Sequence, residues 1–483
     1  MLEAALLIDS DLVPATGGQT FERIDPVSRA VSTRASAATV DDANRAANSA
    51  ARAFPAWSET SPSERRAVLN KAADLVIERS EDFVAAMIAE TGSTAAWGEF
   101  NCRLAASILR EAGAMASQAT GEVVPADKPG SFAMAIRQPC GVVFSMAPWN
   151  APVILSARSV AMPLALGNTV VMKGSELCPR THSLLGEVLN AAGLPKGCIN
   201  VIHSAPEMAP EIVETLIAHK AVRRVNFTGS TRVGRMIAEK AARYLKRCLL
   251  ELGGKAPLVV LDDADVGAAV DAAVFGAFFN QGQICMATER VVIDESIADE
   301  FVERFRVRAE KIRASDPRDP NCVLGAMITE QAAQRVKGLI DDAEMKGADL
   351  VTGARQEGVF VDPAILDNVS PAMRIYHEES FGPVASIIRV RGDDEAVSVA
   401  NDTEYGLAAA VFSRDVGRAL AIARRLESGI CHINSATIHD EPQMPFGGVK
   451  ASGYGRFGGK AGIDEFTELR WITIQEGENR YPL

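Results

Sequence analysis

"VRRVNFTGSTRVGRMIAEKAA", residues 222–242, decides how the rest of the chain is read. Its first part is β-branched and apolar, as a strand is. Gly229 and Ser230 then make a turn, and a helical stretch follows. The same unit recurs on both sides. "GVVFSMAPW" (141–149), "GNTVVMK" (167–173), "CINVIHS" (198–204) and "APLVVLDD" (256–263) are further short apolar runs. Several lead into helical stretches such as "CPRTHSLLGEVLNAAGLP" (178–195). Strands that are apolar on both faces are expected in buried parallel sheets. Alternation of strand and helix argues an α/β fold. A second cycle opens near "RVVIDESIADEFVERFRVRAEKI" (290–312), so two α/β units are expected, breaking near Gly253–Gly254. A chain of 483 residues is long enough for two or three domains.

The N-terminal third reads as helices. "TVDDANRAANSAARAFPAW" (39–57) has an N-cap at Thr39. Residues 61–92 read as one longer helical stretch, capped at Ser61 and stopped by Gly92. Two pieces differ. "GEVVPADKPGSFAMAIRQP" (121–139) has two strand-like arms around a Lys-Pro-Gly turn, and "DEFTELRWITIQ" (464–475) reads as a strand. Neither is expected to have a helix beside it, and the two are expected to pair as an arm.

Composition excludes some classes. Apolar content of 47 % and charged content of 23 % suit an ordinary globular protein. A formal net charge of −12 disfavours a nucleic-acid partner. The N-terminal run lacks the pattern of a signal peptide, and no stretch suits a membrane span, which makes the cytoplasm the expected location. Eight cysteines are scattered without a CxxC pair, and six histidines form no HxxxH pattern. Disulfides and a metal site are therefore not expected.

Four segments can carry chemistry. In "NQGQICMATER" (280–290), Cys285 follows a helical run in a Gly-containing turn, and it reads as a nucleophile or as buried apolar filler. In "LLELGGKAP" (249–257), Glu251 stands among apolar residues, as a raised-pKa base or one half of an ion pair. In "APWNAP" (147–152), Asn150 is an oxyanion donor or a helix cap. The turn at Gly229–Ser230 suits a pyrophosphate, although G-S-T-R-V-G is not the generic G-x-G-x-x-G. At the end of another strand, Lys173 and Glu176 in "VVMKGSE" suit ribose hydroxyls or are ordinary surface charge.

Together these segments resemble the NAD(P)-dependent aldehyde dehydrogenase superfamily. Its motifs stand here in its order: PWN, K-x-x-E, FTGST-x-x-G, LELGGK, GQ-x-C, "EESFGP" (378–383) and "PFGGVK" (445–450). "FNCRLAASILREA", "RQPCGVVFSMAPWNAPVIL" and "HDEPQMPFGGVKASGYG" are similar to the vanillin and salicylaldehyde dehydrogenase branch. The chain departs at Gly174 and Ala326, where the family often has proline.

The resemblance implies a Rossmann-like NAD-binding domain (1–119 and 140–250) and a catalytic α/β domain (251–464). An oligomerisation arm (120–139 and 465–483) would join a homodimer or homotetramer. It makes Cys285 the nucleophile, Glu251 the general base and Asn150 the oxyanion donor, with thiohemiacetal and thioester intermediates and no metal. Lys173 and Glu176 would hold the adenosine ribose, and Gly229, Ser230 and Gly234 the pyrophosphate. Glu379 and Phe381 would hold the nicotinamide ribose, with Trp149 and Leu252 completing the cofactor set. Trp97, Ile284, Met286 and Phe446 would line a slot for an aromatic aldehyde. Arg158, two helical turns beyond Asn150, would face a ring oxygen or else a protein carboxylate. Broad or aliphatic specificity, CoA acylation and a non-catalytic relative are the rival readings.

Overall fold

The computed structural model describes every residue except 354, 478–480, 482 and 483. Two large sheets organise it. The first has eight strands, five of them a parallel core: Val142–Met146, Thr169–Lys173, Ile199–Ile202, Val222–Thr228 and Arg247–Glu251. Numbered along the chain, these five lie side by side in the order 3-2-1-4-5. The strand order therefore reverses between Val142–Met146 and Val222–Thr228. In open parallel sheets such a switch point leaves a crevice at the carboxyl ends of the strands, and ligands bind there.

The second sheet has seven strands, six of them parallel, including Ala256–Val260, Thr288–Asp294 and Val384–Val390. The chain leaves the first sheet at Glu251 and enters the second at Ala256. The short link Leu252–Lys255 is buried and joins the two sheets, entering the second at an interior strand. Buried helices cover them. Every residue of Pro152–Ala165 is buried, which explains its lack of polar patterning.

Local signals place most elements. Thr39 and Ser61 each close a capping box, with Asp42 and Glu64 respectively, and Gly92 ends its helix in the left-handed conformation. The stretch 61–92 is nevertheless two helices, Pro62–Glu78 and Ser80–Thr91. Arg79 breaks it, leaving helical geometry while its guanidinium turns to Asp82 and Glu187. Neither glycine nor proline marks that break. The segments 131–139 and 467–475 pair antiparallel over nine residues each, with Glu122–Val124 on the outer side. One expectation fails here. A helix, Gly459–Phe466, runs directly into the last strand, so "DEF" is helical and the strand starts at Thr467. The end of the expected arm, at 478–480 and 482–483, lies outside the described residues.

Gly174 and Ala326, the two departures from proline, have a physical reason. Each donates its backbone N–H, Gly174 to Ile202 at 2.9 Å and Ala326 to Gly92 at 2.9 Å. Proline has no such donor. A Cβ at 174 would also come within 2.6 Å of the His203 ring. Among the described residues, no helix is long and apolar enough to cross a membrane.

Candidate active site

Two cavities meet at Cys285, Asn150 and Leu155. The first, of about 470 Å³, opens at the switch point. Its walls come from the ends of the two diverging strands, Pro148–Trp149–Asn150 on one side and Thr228–Gly229–Ser230 on the other. Glu251, Leu252, Gly253, Glu379 and Phe381 close it. The second, of about 450 Å³, is mostly apolar and lies on the far side of Cys285. Trp97, Phe100, Ile154, Ile284, Met286 and Phe446 are among its lining.

The cysteine is held by an unusual turn. The helix Val266–Phe278 ends, and Asn280, Gln281 and Gly282 then take positive φ in succession, at 47°, 56° and 65°. Asparagine tolerates that region, whereas glutamine rarely does, so the surroundings must hold it. Gln281 does so by gripping the neighbouring loop, accepting from Gly325 N at 3.0 Å and donating to Ala326 O at 3.1 Å. Gln283 accepts from Ile328 N at 3.0 Å. A Cβ on Gly282 would collide with Gly382 O.

Asn150 does not cap the helix that follows it. The cap position is Ala151, which makes no side-chain bond. Instead the Asn150 side-chain amide donates to Gln283 O at 3.0 Å, while the Asn150 backbone carbonyl accepts from Trp97 Nε1 at 2.9 Å and Asn280 Nδ2 at 3.0 Å. An amide nitrogen carries two protons, so one remains for a ligand beside Cys285.

Glu251 is buried, and neither carboxylate oxygen has a hydrogen-bond partner. Burial pushes its pKa up to about 8, with the Arg158 guanidinium and the Cys285 thiol pulling it back. The Cys285 thiol is raised well above its usual value, first by burial and then by the Glu251 and Glu379 carboxylates. At neutral pH the cysteine therefore rests as a thiol beside a carboxyl close to its own titration point.

The residues expected to hold the cofactor divide into two groups. Glu379 accepts from Gly254 N at 2.8 Å, and burial together with Glu289 raises its carboxyl to about 7. Phe381 sits at positive φ and meets Trp149 edge to face at 5.8 Å. Ser230 caps the helix Thr231–Arg243 without a side-chain bond, so its first N–H groups are left for a ligand. Gly234 serves packing, since a Cβ there would strike Leu252. Lys173 and Glu176 are 3.7 Å apart but lie outside this cavity's lining.

Three parts of the site went unnoticed in the sequence. Arg232 and Arg335 line the switch-point cavity, and Arg335 donates to the carbonyls of Glu379 and Ser380. Lys255 and Glu289 form a buried ion pair at 2.6 Å, and Glu289 also accepts the N–H groups of Ser380 and Phe381. Asp440 is the partner of Arg158, at 2.5 Å. Of the two partners left open for that arginine, the protein carboxylate is the one found. Lys255 ends the LELGGK motif and Glu289 lies in the cysteine segment, but their pairing crosses 34 positions and has no local signal.

Comparison with known proteins agrees with this geometry. The aldehyde dehydrogenase family matches residues 12–472. A vanillin dehydrogenase from Pseudomonas fluorescens is 58 % identical over the whole of both chains. The crystal structure of a salicylaldehyde dehydrogenase from Pseudomonas putida G7, complexed with salicylaldehyde, superposes with a TM-score of 0.98 at 49 % identity, covering all of both chains. A betaine aldehyde dehydrogenase from Staphylococcus aureus, solved with NAD+, gives 0.95 at 32 % identity, covering 100 % of this chain and 97 % of that one. Motif order, switch-point cavity and matched length converge, and the chain belongs to the aldehyde dehydrogenase family.

Proposed function

We propose that the protein oxidises an aromatic aldehyde to its carboxylic acid with NAD, through Cys285. The observation that carries this reading is the position of Cys285 between a mostly apolar, aromatic-lined cavity and a cavity at the switch point of a parallel sheet. The vanillin and salicylaldehyde dehydrogenases that resemble the chain along its full length support the aromatic substrate.

The residues fit a dinucleotide. An uncapped helix N-terminus at Ser230 suits the pyrophosphate, and the half-buried Glu379 carboxylate suits ribose hydroxyls. Lys173 and Glu176 would take the second ribose, and a carboxylate there disfavours the 2′-phosphate of NADP. When bound, NAD supplies the hydride acceptor.

Glu251 takes the Cys285 proton as sulfur attacks the aldehyde carbon. The remaining Asn150 N–H and the Cys285 backbone N–H face the new oxyanion, each contributing about 3 kcal/mol. After oxidation the acyl group is a thioester on Cys285. Glu251, deprotonated again, draws a proton from water, which attacks the thioester and releases the acid and the thiol. Trp97, Ile284, Met286 and Phe446 hold the ring. The paired strands 131–139 and 467–475, with Trp471, Leu469 and Phe132 exposed, form the arm of a homo-oligomer. All eight cysteines are unpaired, which suits a reducing, cytoplasmic location.

The test is formation of NADH from NAD and benzaldehydes, with and without CoA. Turnover without CoA is expected, and it should vanish in Cys285→Ala while NAD still binds. Turnover that depends on CoA, or survives in Cys285→Ala, would contradict the reading.

A further inference from the structure

Arg158 and Asp440 put a charged pair into the wall of a mostly apolar cavity. Arg158 stands in the middle of the fully buried helix Pro152–Ala165. Its guanidinium lies over the Phe446 ring, 4.3 Å from the centroid, and Nη2 donates to Asp440 Oδ2 at 2.5 Å. Both side chains are more than nine-tenths buried, at 6 % and 9 % exposure. Asp440 Oδ1 is buried without any hydrogen-bond partner. A buried pair of this kind rarely outperforms apolar residues of equal volume in stability, and its unpaired acceptor adds a penalty. Stability therefore gives no reason for it.

The charge balance selects the ligand. Arg158 already has a carboxylate and an aromatic face, so it offers little to an anion entering the cavity. A phenolate would also meet the Asp440 carboxylate. The other ionisable groups around Asp440 are His439 on the same wall, His432 tilted against its ring, Glu441 bonded to it, and Glu251, whose carboxyl feels Asp440. None of them supplies the missing proton to Oδ1 in this structure. A neutral ring hydroxyl carries one. The outer torsion of aspartate is broad, so a small rotation turns the free oxygen towards the cavity.

We propose that Asp440, positioned by Arg158, selects aldehydes whose ring carries a neutral hydroxyl by accepting that hydroxyl's hydrogen bond. The proposal rests on the reading of the protein as an aromatic aldehyde dehydrogenase. It makes Asp440 the specificity residue and Arg158 a positioning residue that acts through it. A methoxy group, which has no proton to donate, gains nothing from this contact.

The experiment measures kcat/KM with NAD for the three hydroxybenzaldehydes and their methoxy counterparts, at mildly acidic pH where the hydroxyl is protonated. Wild type, Asp440→Asn and the double variant Arg158→Met/Asp440→Leu are compared. The double variant removes both charges, so it guards against misfolding of the single one. NAD binding, read by fluorescence, confirms the fold. In wild type one hydroxy isomer should exceed its methoxy counterpart by about tenfold or more. In the folded variants that ratio should collapse towards one, which a purely structural role would not cause. A wild-type ratio near one, or a ratio that persists in the double variant, would overturn the proposal. If wild type oxidised none of these aldehydes, the underlying functional reading would fall, and this one with it.

Discussion

Glu251, the proposed base, shows how surroundings change an ordinary carboxyl. Two leucines precede it and Leu252 follows, and the fold buries all of them. Its pKa of about 8 comes mainly from lost hydration. The working form is the carboxylate, so the sign is fixed. Below about 8 the group holds its proton and cannot take one from water. Single-turnover hydrolysis of the acyl-enzyme should therefore rise roughly tenfold per pH unit below that point and level off above it. Glu251→Gln should lower the plateau by about 10²–10⁴ and flatten the profile. A wild-type rate that is flat between about pH 6 and 8 would show that another group is the base. The apolar flanks made this residue legible in the sequence. The role of Asp440 was not, because its partner is 282 positions away.

At the scale of elements, the turn Asn280–Gly282 sets the thiol. Of the three consecutive left-handed residues Gln281 is the strained one, and the Gln281 and Gln283 side chains hold the turn through the loop Gly325–Ile328. Gln281→Ala removes two buried hydrogen bonds. It should lower stability by about 1–3 kcal/mol, as read by denaturant unfolding. It should also cut kcat by about tenfold or more through misplacement of Cys285. Unchanged kcat at reduced stability would separate the turn from the chemistry. Helix starts were legible because Thr39 and Ser61 carry their own caps. The break at Arg79 was not, because neither glycine nor proline marks it and one partner of its guanidinium, Glu187, is 108 positions away. The helix before the last strand was missed because it runs into the strand at Thr467 with no glycine or proline between them.

For the molecule as a whole, the α/β alternation predicted two α/β units, and the chain forms two large, mostly parallel sheets. Strand order was not legible, since local pattern does not say which strands neighbour one another. That order creates the switch point, and the switch point places Asn150, Gly229 and Ser230 in one crevice although they are far apart in sequence. The link Leu252–Lys255 then carries the chain across to the sheet that holds the cysteine. Two cavities converge on one sulfur as a result, and covalent catalysis at that sulfur is the central claim. Intact-protein mass spectrometry of Glu251→Gln, quenched after mixing with NAD and a hydroxybenzaldehyde, tests it most directly. The account predicts one acyl adduct per chain, mapped to Cys285 and absent from the Cys285→Ala variant. NADH formed without an adduct, or an adduct on another cysteine, would contradict it.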